Sequence, residues 1–217
     1  MTAAQLPTRK DAARNRQRIL DAAKALFAER GFGVSLHDIA ARAGVGVGTI
    51  YRHFPEKKPL IDAVFAEQLA EMKVLFERAL ADPDPWRSIV WVHEQALERQ
   101  AANRGLKEML LGTPEAPERA HQIRAQLHPL AARLIERGKA AGVVRADCET
   151  QDFGLLYTML GAVMDASADV DPDLWRRYFV IALQGLRPEG APLESLPVPA
   201  LPPERMEDLL VGTWTTR

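Results

Sequence analysis

The chain has 217 residues, of which 47% are hydrophobic and 26% are charged, a composition typical of a globular protein that buries a substantial core. Its single cysteine, Cys148, excludes an intrachain disulfide, and no apolar run approaches the roughly 20 residues that span a bilayer, so we expect a soluble, cytoplasmic protein without a signal peptide. The net charge of −1 hides an asymmetry, because residues 1–60 hold 11 Lys and Arg against five Asp and Glu.

The first 60 residues predict three short helices. Apolar residues recur every three and four positions and do not alternate, which indicates helices and no sustained strand. A first helix is expected over 10–30, a second after the N-cap Ser35, and a third over 47–54. The residues predicted to be buried are Ile19, Leu20, Ala23, Leu26 and Phe27 in the first helix, Leu36, Ile39, Ala40 and Ala43 in the second, and Val47, Ile50 and Phe54 in the third.

Six further helices are predicted downstream. Pro59 suits the first turn of a long helix, because its missing N–H is not needed there, and Thr150 is a suitable helix cap. The expected helices cover 60–80, 86–103, 106–111, 118–141, 151–168 and 173–186. The chain then becomes rich in proline, which predicts an extended or loosely docked tail, with one possible helical turn at Met206–Leu210.

The predicted fold class is therefore all-α. It comprises an N-terminal three-helix helix-turn-helix domain, a larger C-terminal helical domain for ligand binding and dimerisation, and a Pro-rich C-terminal tail. The expected boundaries are 1–57, 58–187 and 188–217.

The segment Leu36–Lys57 has the features that a helix-turn-helix requires. Ala40 and Ala43 are small where two helices must touch, Gly44 allows a left-handed turn, and Ile50 is placed to point back at the preceding helix. The outer side of the third helix is then free to enter a major groove of DNA.

That outer side carries polar donors and two glycines. Hydroxyl, imidazole and guanidinium groups can contact phosphates or base edges, and a lysine at a helix N-terminus can hold a phosphate. Gly48 is unusual inside a helix, and close approach to DNA would explain it. The predicted DNA-binding residues are Ser35, Gly46, Val47, Gly48, Thr49, Tyr51, Arg52, His53 and Lys57.

Other interpretations of these patterns remain open at this point. The basic N-terminal part is expected if only that part meets phosphate, but a solvated helix face has the same pattern. Tyr51 and Phe54 are also compatible with a helical hairpin whose aromatic residues only pack. A helical adaptor that binds protein alone predicts no salt-dependent DNA affinity. No nucleophile–base pair, paired carboxylates or cofactor loop is recognisable, so we expect neither an enzyme nor a cofactor.

Two strings give a specific resemblance. Ile19-Leu20-Asp21-Ala22-Ala23 with Leu26–Phe32 resembles the first helix of TetR-family transcriptional regulators, and Ile39–Val45 with Gly48–Lys57 resembles the rest of their DNA-binding head. The match covers about residues 14–60. It departs from the family at Gly46 and Val47, where a serine and a polar or basic residue are usual, so the third helix is expected to have a weaker cap and Val47 to be available for a thymine methyl group.

The resemblance implies a ligand-responsive regulator, most simply a repressor that binds a palindromic operator in double-stranded DNA as a homodimer and is released by a small apolar or amphipathic effector. An activator or a ligand-independent regulator with the same head is the alternative. In similar proteins the last two long helices pair across a two-fold axis, whereas here they could also complete a monomeric core. The interface residues expected are Leu155, Leu156, Leu160, Val163, Trp175, Phe179 and Leu183.

An effector pocket is expected among the helices of 60–141 and the start of the next one. The predicted lining residues are Met72, Phe76, Trp91, Met109, Leu110, His121, His128 and Met159. Methionine and aromatic side chains form adaptable apolar walls, although for each of them plain core packing is the competing interpretation. His121 and His128 share a helix face, but without an HxxxH motif or a cysteine partner no metal site is predicted.

Overall fold

The computed structural model describes residues 9–103, 105 and 116–202. Within these ranges the fold is all-α, as predicted, and contains no strand. A single 3-10 turn, Gly31–Gly33, follows the first helix. The helices are α1 (Arg9–Arg30), α2 (Leu36–Ala43), α3 (Val47–His53), α4 (Lys57–Ala81), α5 (Pro85–Ala101), α6 (Ala116–Ala140), α7 (Thr150–Ser167) and α8 (Leu174–Gly185).

Two parts of the predicted pattern lie outside the described residues, namely the short helix over 106–111 and the turn at Met206–Leu210. Among the residues that are described, no helix is both long enough and apolar enough to cross a membrane. Pro59 lies in the first turn of α4, as predicted. The helix itself begins at Lys57, three residues before the predicted start at residue 60.

The chain divides into two compact units. The first comprises Met1–Met72 with Ala102–Ile123, and the second Lys73–Ala101 with Arg124–Arg217. Two of the three boundaries fall inside long helices, α4 and α6, and the third falls at the C-terminal end of α5. The predicted boundary at residue 57 stays a prediction.

In the first unit, α2 packs against both α1 and α3. The predicted apolar stripe of α1 is buried, and Phe27 makes an edge-to-face contact with Phe32 at 5.1 Å between ring centroids. Ile50 and Phe54 are buried as predicted, but the prediction for Val47 was wrong, since 38% of that residue is exposed. Val47 is the first residue of α3, and the buried residue of this helix, Ile50, lies three residues further along.

In the second unit, α7 packs against α5 and α8. Trp175 and Phe179 from α8 and Leu156 from α7 are buried there. Arg137 on α6 donates hydrogen bonds to the carbonyl oxygens of Leu80 and Asp82 at 2.8 and 2.9 Å, which satisfies acceptors at the C-terminal end of α4 that the helix itself leaves free.

The start of α7 differs from the predicted one. Glu149, not Thr150, is the N-cap, and it forms a reciprocal capping box with Asp152. Glu149 N–H donates to the Asp152 carboxylate at 2.8 Å. Sequence reasoning favoured the threonine hydroxyl, but a carboxylate three residues before a second carboxylate can cap the same helix turn.

The tail has no regular secondary structure over 188–202. It nevertheless makes specific contacts within the second unit. Trp86 Nε1 donates to the Glu194 carboxylate at 2.8 Å, and the Arg187 guanidinium lies 4.7 Å from the centre of the Trp86 ring. Arg177 donates to the Val198 carbonyl at 3.1 Å, so this part of the tail is docked by hydrogen bonds at two places.

Candidate nucleic-acid interface

The start of α2 is fixed by a capping box. The Ser35 side chain accepts a hydrogen bond from Asp38 N–H at 3.2 Å, and Ser35 N–H donates to the Asp38 carboxylate at 3.0 Å. The Ser35 hydroxyl also donates to the Asp38 carboxylate at 2.5 Å, and this bond, together with the one from Ser35 N–H, lowers the pKa of Asp38 below its ordinary value. Because its side chain is engaged in the cap, Ser35 positions α2, and its predicted contact with DNA stays a prediction.

The turn between α2 and α3 is left-handed at Gly44, where φ is 62°. Gly44 N–H donates to Ala41 and Val45 N–H donates to Ala40, which satisfies carbonyl groups at the end of α2. The predicted role of Gly44 is therefore confirmed. This geometry sets the angle at which α3 leaves α2.

The outer side of α3 faces solvent. Ile50 is fully buried and points inward, whereas Tyr51 is 49% exposed and Val47 38% exposed. Arg52 is exposed, and its Nη2 donates to Thr49 Oγ1 at 3.3 Å along the same face. Thr49 and His53 are half-buried. The helix therefore presents a hydroxyl, a phenol, a guanidinium and an imidazole without any of them being sealed in the interior.

The glycines of this segment are not explained by internal packing. Gly46 is the N-cap of α3, with no side-chain cap bond, as the sequence predicted. A Cβ atom added at Gly48 would meet no atom within 4 Å, although the residue lies inside a helix. The chain thus leaves backbone uncovered at the N-terminal half of α3, which is the part of a recognition helix that approaches base edges.

Three basic residues of the first unit make contacts within the chain. Arg18 Nη2 donates to the Gly44 carbonyl at 3.1 Å, and Arg42 pairs with Glu29 at 3.0 Å. The Lys57 ammonium donates to the Phe32 carbonyl, so part of its donor capacity is used within the chain. Sequence reasoning missed the contact of Arg18 with the turn, because a bond across 26 residues leaves no periodic signal.

The predicted effector residues do not share one environment. Met109 and Leu110 lie outside the described residues. Phe76 is buried, while Trp91 is half-buried with the Arg78 guanidinium 5.0 Å from its ring centre. Met72 is half-buried. His121, His128 and Met159 are exposed on their helices, and their predicted contact with an effector stays a prediction.

A buried polar cluster in the second unit was missed. His93 on α5 is 2% exposed, its ring stacks on Phe153 at 4.0 Å between centroids, and its Nδ1 lies 2.5 Å from the Tyr157 hydroxyl. Phe76 meets the same imidazole edge-on at 6.1 Å. The spacing of Phe153 and Tyr157, four residues apart on one helix, is the sequence signal that could have pointed to it.

The predicted interface residues are mostly core. Five of the seven are at least nine-tenths buried within the chain itself, namely Leu156, Leu160, Trp175, Phe179 and Leu183. Within the chain, α7 packs against α8 and α5, so these five side chains lie in the core of the second unit, and their predicted part in a dimer interface stays a prediction. Leu155 is 69% exposed, and its neighbour one turn along, Met159, is 60% exposed. Tyr178 and Ile181 on α8 are also exposed, at 36% and 45%.

The described residues contain no group of three His, Cys, Asp or Glu side chains that could hold a metal ion. Cys148 is buried, and burial raises the pKa of its thiol. A thiol that is harder to ionise is a poor nucleophile.

Comparison with known proteins agrees with this geometry. A family model described as bacterial regulatory proteins of the tetR family matches residues 19–64, and a model described as the C-terminal domain of SbtR-like transcriptional regulators matches residues 85–188. An HTH-type transcriptional regulator of Staphylococcus aureus strain USA300 is 47% identical over 62 residues, which are 28% of this chain and 34% of that relative. The chain thus matches about a third of the length of this curated relative.

Solved structures match over a much larger part of the chain. A TetR transcription regulatory protein from Mycobacterium vanbaalenii is 31% identical, with 83% of this chain and 99% of that chain covered and a TM-score of 0.63. The TetR transcriptional regulator SCO0520 from Streptomyces coelicolor is 26% identical, with 81% and 99% covered and a TM-score of 0.63. The similarity therefore extends beyond the DNA-binding head into the helical body.

Proposed function

This chain belongs to the TetR family of bacterial regulatory proteins, which are DNA-binding transcriptional regulators and not enzymes. We propose that it is a cytoplasmic repressor, that it binds a palindromic operator as a homodimer, and that a small effector releases it from the DNA. The single observation that carries the DNA-binding part is the outer side of α3. It faces solvent and carries polar side chains, and at its N-terminal end Gly46 and Gly48 leave the backbone accessible.

Each predicted contact has a physical role in this proposal. Arg52 can donate two hydrogen bonds to the major-groove edge of a guanine, and Val47 can touch a thymine methyl group. Tyr51 and Thr49 supply hydroxyl groups for phosphates, and the backbone at Gly48 lets α3 approach closely. The basic N-terminal part of the chain supports this arrangement, since phosphate neutralisation provides most of the non-specific affinity for DNA.

Dimerisation is proposed through the exposed apolar residues of α7 and α8. Leu155 and Met159 lie one turn apart on α7, with Tyr178 and Ile181 exposed on the neighbouring helix. Large apolar side chains that cluster on a surface indicate a contact site, because exposing them to water is unfavourable. Two heads held about one turn of DNA apart, roughly 34 Å, would read an inverted repeat.

We expect release by an effector to result from an equilibrium between two arrangements of the dimer, one that binds the operator and one that does not. An effector that binds better to an arrangement unsuited to the operator shifts the dimer away from DNA by the difference between its two affinities. An activator, or a regulator that ignores small molecules, would use the same head. A reporter placed behind the operator separates these cases, since loss of a repressor raises transcription and loss of an activator lowers it.

The proposal is tested by selecting binding sites for the full-length protein from a random duplex library. We expect an inverted repeat to be enriched and its affinity to fall steeply as salt rises. Arg52→Ala should lower operator affinity about tenfold or more, whereas Arg87→Ala, an exposed arginine of the second unit that pairs with Asp82, should leave it unchanged. If no duplex is enriched at low salt, the proposal is wrong.

A further inference from the structure

His93 is held on three sides by aromatic groups of the second unit. Phe153 stacks on its face, with an interplanar angle of 12°, and Phe76 meets it edge-on. The Tyr157 hydroxyl lies at Nδ1. The remaining ring nitrogen, Nε2, is buried, and within the described part of the chain it has no hydrogen-bond partner.

The position of the imidazole proton follows from counting donors. If Tyr157 donates to Nδ1, the imidazole proton sits on Nε2, and only that N–H lacks a partner. If instead Nδ1–H donates to the tyrosine oxygen, then the phenol proton and the Nε2 lone pair both lack partners. The first arrangement leaves one buried polar group without a partner and the second leaves two, so the first arrangement is favoured. Nε2 therefore presents an N–H donor inside an aromatic cluster.

A donor of this kind needs an acceptor that fits an apolar, flat-walled environment. Three aromatic rings contact the imidazole of His93, whereas a buried water is stable when it makes two to four hydrogen bonds. Burial lowers the pKa of His93 to about 3, so the imidazole is neutral near neutral pH and does not attract an anion by charge. An uncharged acceptor on a flat apolar molecule satisfies both conditions.

We propose that His93, oriented by Tyr157, is the polar anchor of the effector site, and that the effector is an uncharged, flat, largely apolar molecule whose carbonyl-type oxygen accepts a hydrogen bond from Nε2. This inference rests on the proposed function, because it assigns the residues and the ligand class of the effector site of that regulator. Phe76 and Phe153 provide apolar walls, and the single hydrogen bond fixes the orientation of the ligand.

The test uses 1-indanone and indane, two flat bicyclic molecules that differ by the carbonyl oxygen. Histidine-selective ¹⁵N labelling of the full-length protein, with long-range ¹H–¹⁵N spectra, reports the tautomer of His93 directly, and His93→Phe assigns its signals. We expect the Nε2-protonated tautomer, a shift of that resonance on adding indanone, and about tenfold tighter binding of indanone than of indane. In His93→Phe the two probes should bind equally well.

Two further variants keep the result interpretable. Tyr157→Phe retains a buried imidazole but removes the donor to Nδ1, so the preference for indanone should fall even if His93→Phe does not fold. His37→Phe changes an exposed histidine of the first unit, which has no part in the proposed effector site, and should keep the wild-type preference. The proposal is overturned by an Nδ1-protonated His93, by equal binding of both probes to the wild type, or by an Nε2 resonance that responds to solvent exchange but to neither probe.

Failure here is distinguishable from failure of the proposed function. Operator binding is measured on the same protein without any probe. If a duplex is selected but His93 ignores both molecules, the anchor is wrong and the regulator stands. If indanone binds at His93 but no duplex is enriched, the binding site stands and the regulatory proposal fails.

Discussion

Arg18 on α1 donates a hydrogen bond from Nη2 to the carbonyl oxygen of Gly44, 3.1 Å away, across the turn that joins α2 to α3. Gly44 is the left-handed residue of that turn, with φ of 62°. A Cβ added there would lie 2.7 Å from Arg18 Nη2, which is the far end of a flexible side chain. The steric clash is therefore easily relieved, while the backbone strain is not.

Gly44→Ala should lower the free energy of unfolding by about 1–2 kcal/mol, because alanine disfavours the left-handed conformation. Chemical denaturation measures this. Gly44→Asn should lose less, since asparagine tolerates that conformation, and adding Arg18→Ala to Gly44→Ala should not restore stability. Gly33→Ala is the control, because its Cβ meets nothing within 4 Å and its φ is not positive. Full recovery in the double variant would show that the clash, not the strain, is limiting.

Gly48→Ala should separate folding from DNA binding. Its Cβ enters open space within α3, so the helix should gain up to about 1 kcal/mol of stability. The same methyl group stands on the proposed DNA-facing side, so operator affinity should fall. Thermal unfolding and fluorescence anisotropy measure the two effects. Gly185→Ala, also unobstructed and on α8, should leave operator affinity unchanged; an unchanged affinity in Gly48→Ala as well would remove Gly48 from the interface.

Leu155→Glu with Met159→Glu should convert the dimer into monomers, because two charges would be buried at the proposed interface. Sedimentation velocity measures the change, and operator affinity should fall with it, since each monomer holds one half-site. Val74→Glu is the matched control, being another exposed apolar residue of the second unit, at 54%. A double variant that still sediments as a dimer would place the interface elsewhere.

The helix-turn-helix could be predicted from the sequence because its signals are local. Ser35 indicates a helix start because its hydroxyl lies three residues before Asp38, and Gly44 indicates a left-handed turn directly after α2. Both effects act within a few bonds of the residue concerned. The ends of the described helices after residue 57 were also predicted to within three residues, although the residue that caps α7 is Glu149 and not the expected Thr150.

Which faces of the helices in the second unit are buried could not be predicted in the same way. Periodicity identifies residues that share a face, but α7 is apolar on two faces. Leu156 and Leu160 face the chain's own core, and Leu155 and Met159 face solvent. Which apolar face of α7 meets the core depends on how the neighbouring helices pack. The pairing of His93 with Tyr157, which are 64 residues apart, depends on the same packing.

The buried His93 should make folding pH-dependent. Burial lowers its pKa from an ordinary value near 6.5 to about 3, so the unfolded chain takes up a proton at a pH where the folded chain does not. Its contribution is complete above pH 6.5 and is lost as the pH falls toward 3, by about 1.4 kcal/mol per pH unit. Denaturation between pH 4 and 7 should therefore show a steeper loss of stability in the wild type than in His93→Phe. Tyr157→Phe, which keeps the imidazole buried, should retain the wild-type slope; parallel profiles for the wild type and His93→Phe would show that His93 is protonated inside the folded protein without penalty.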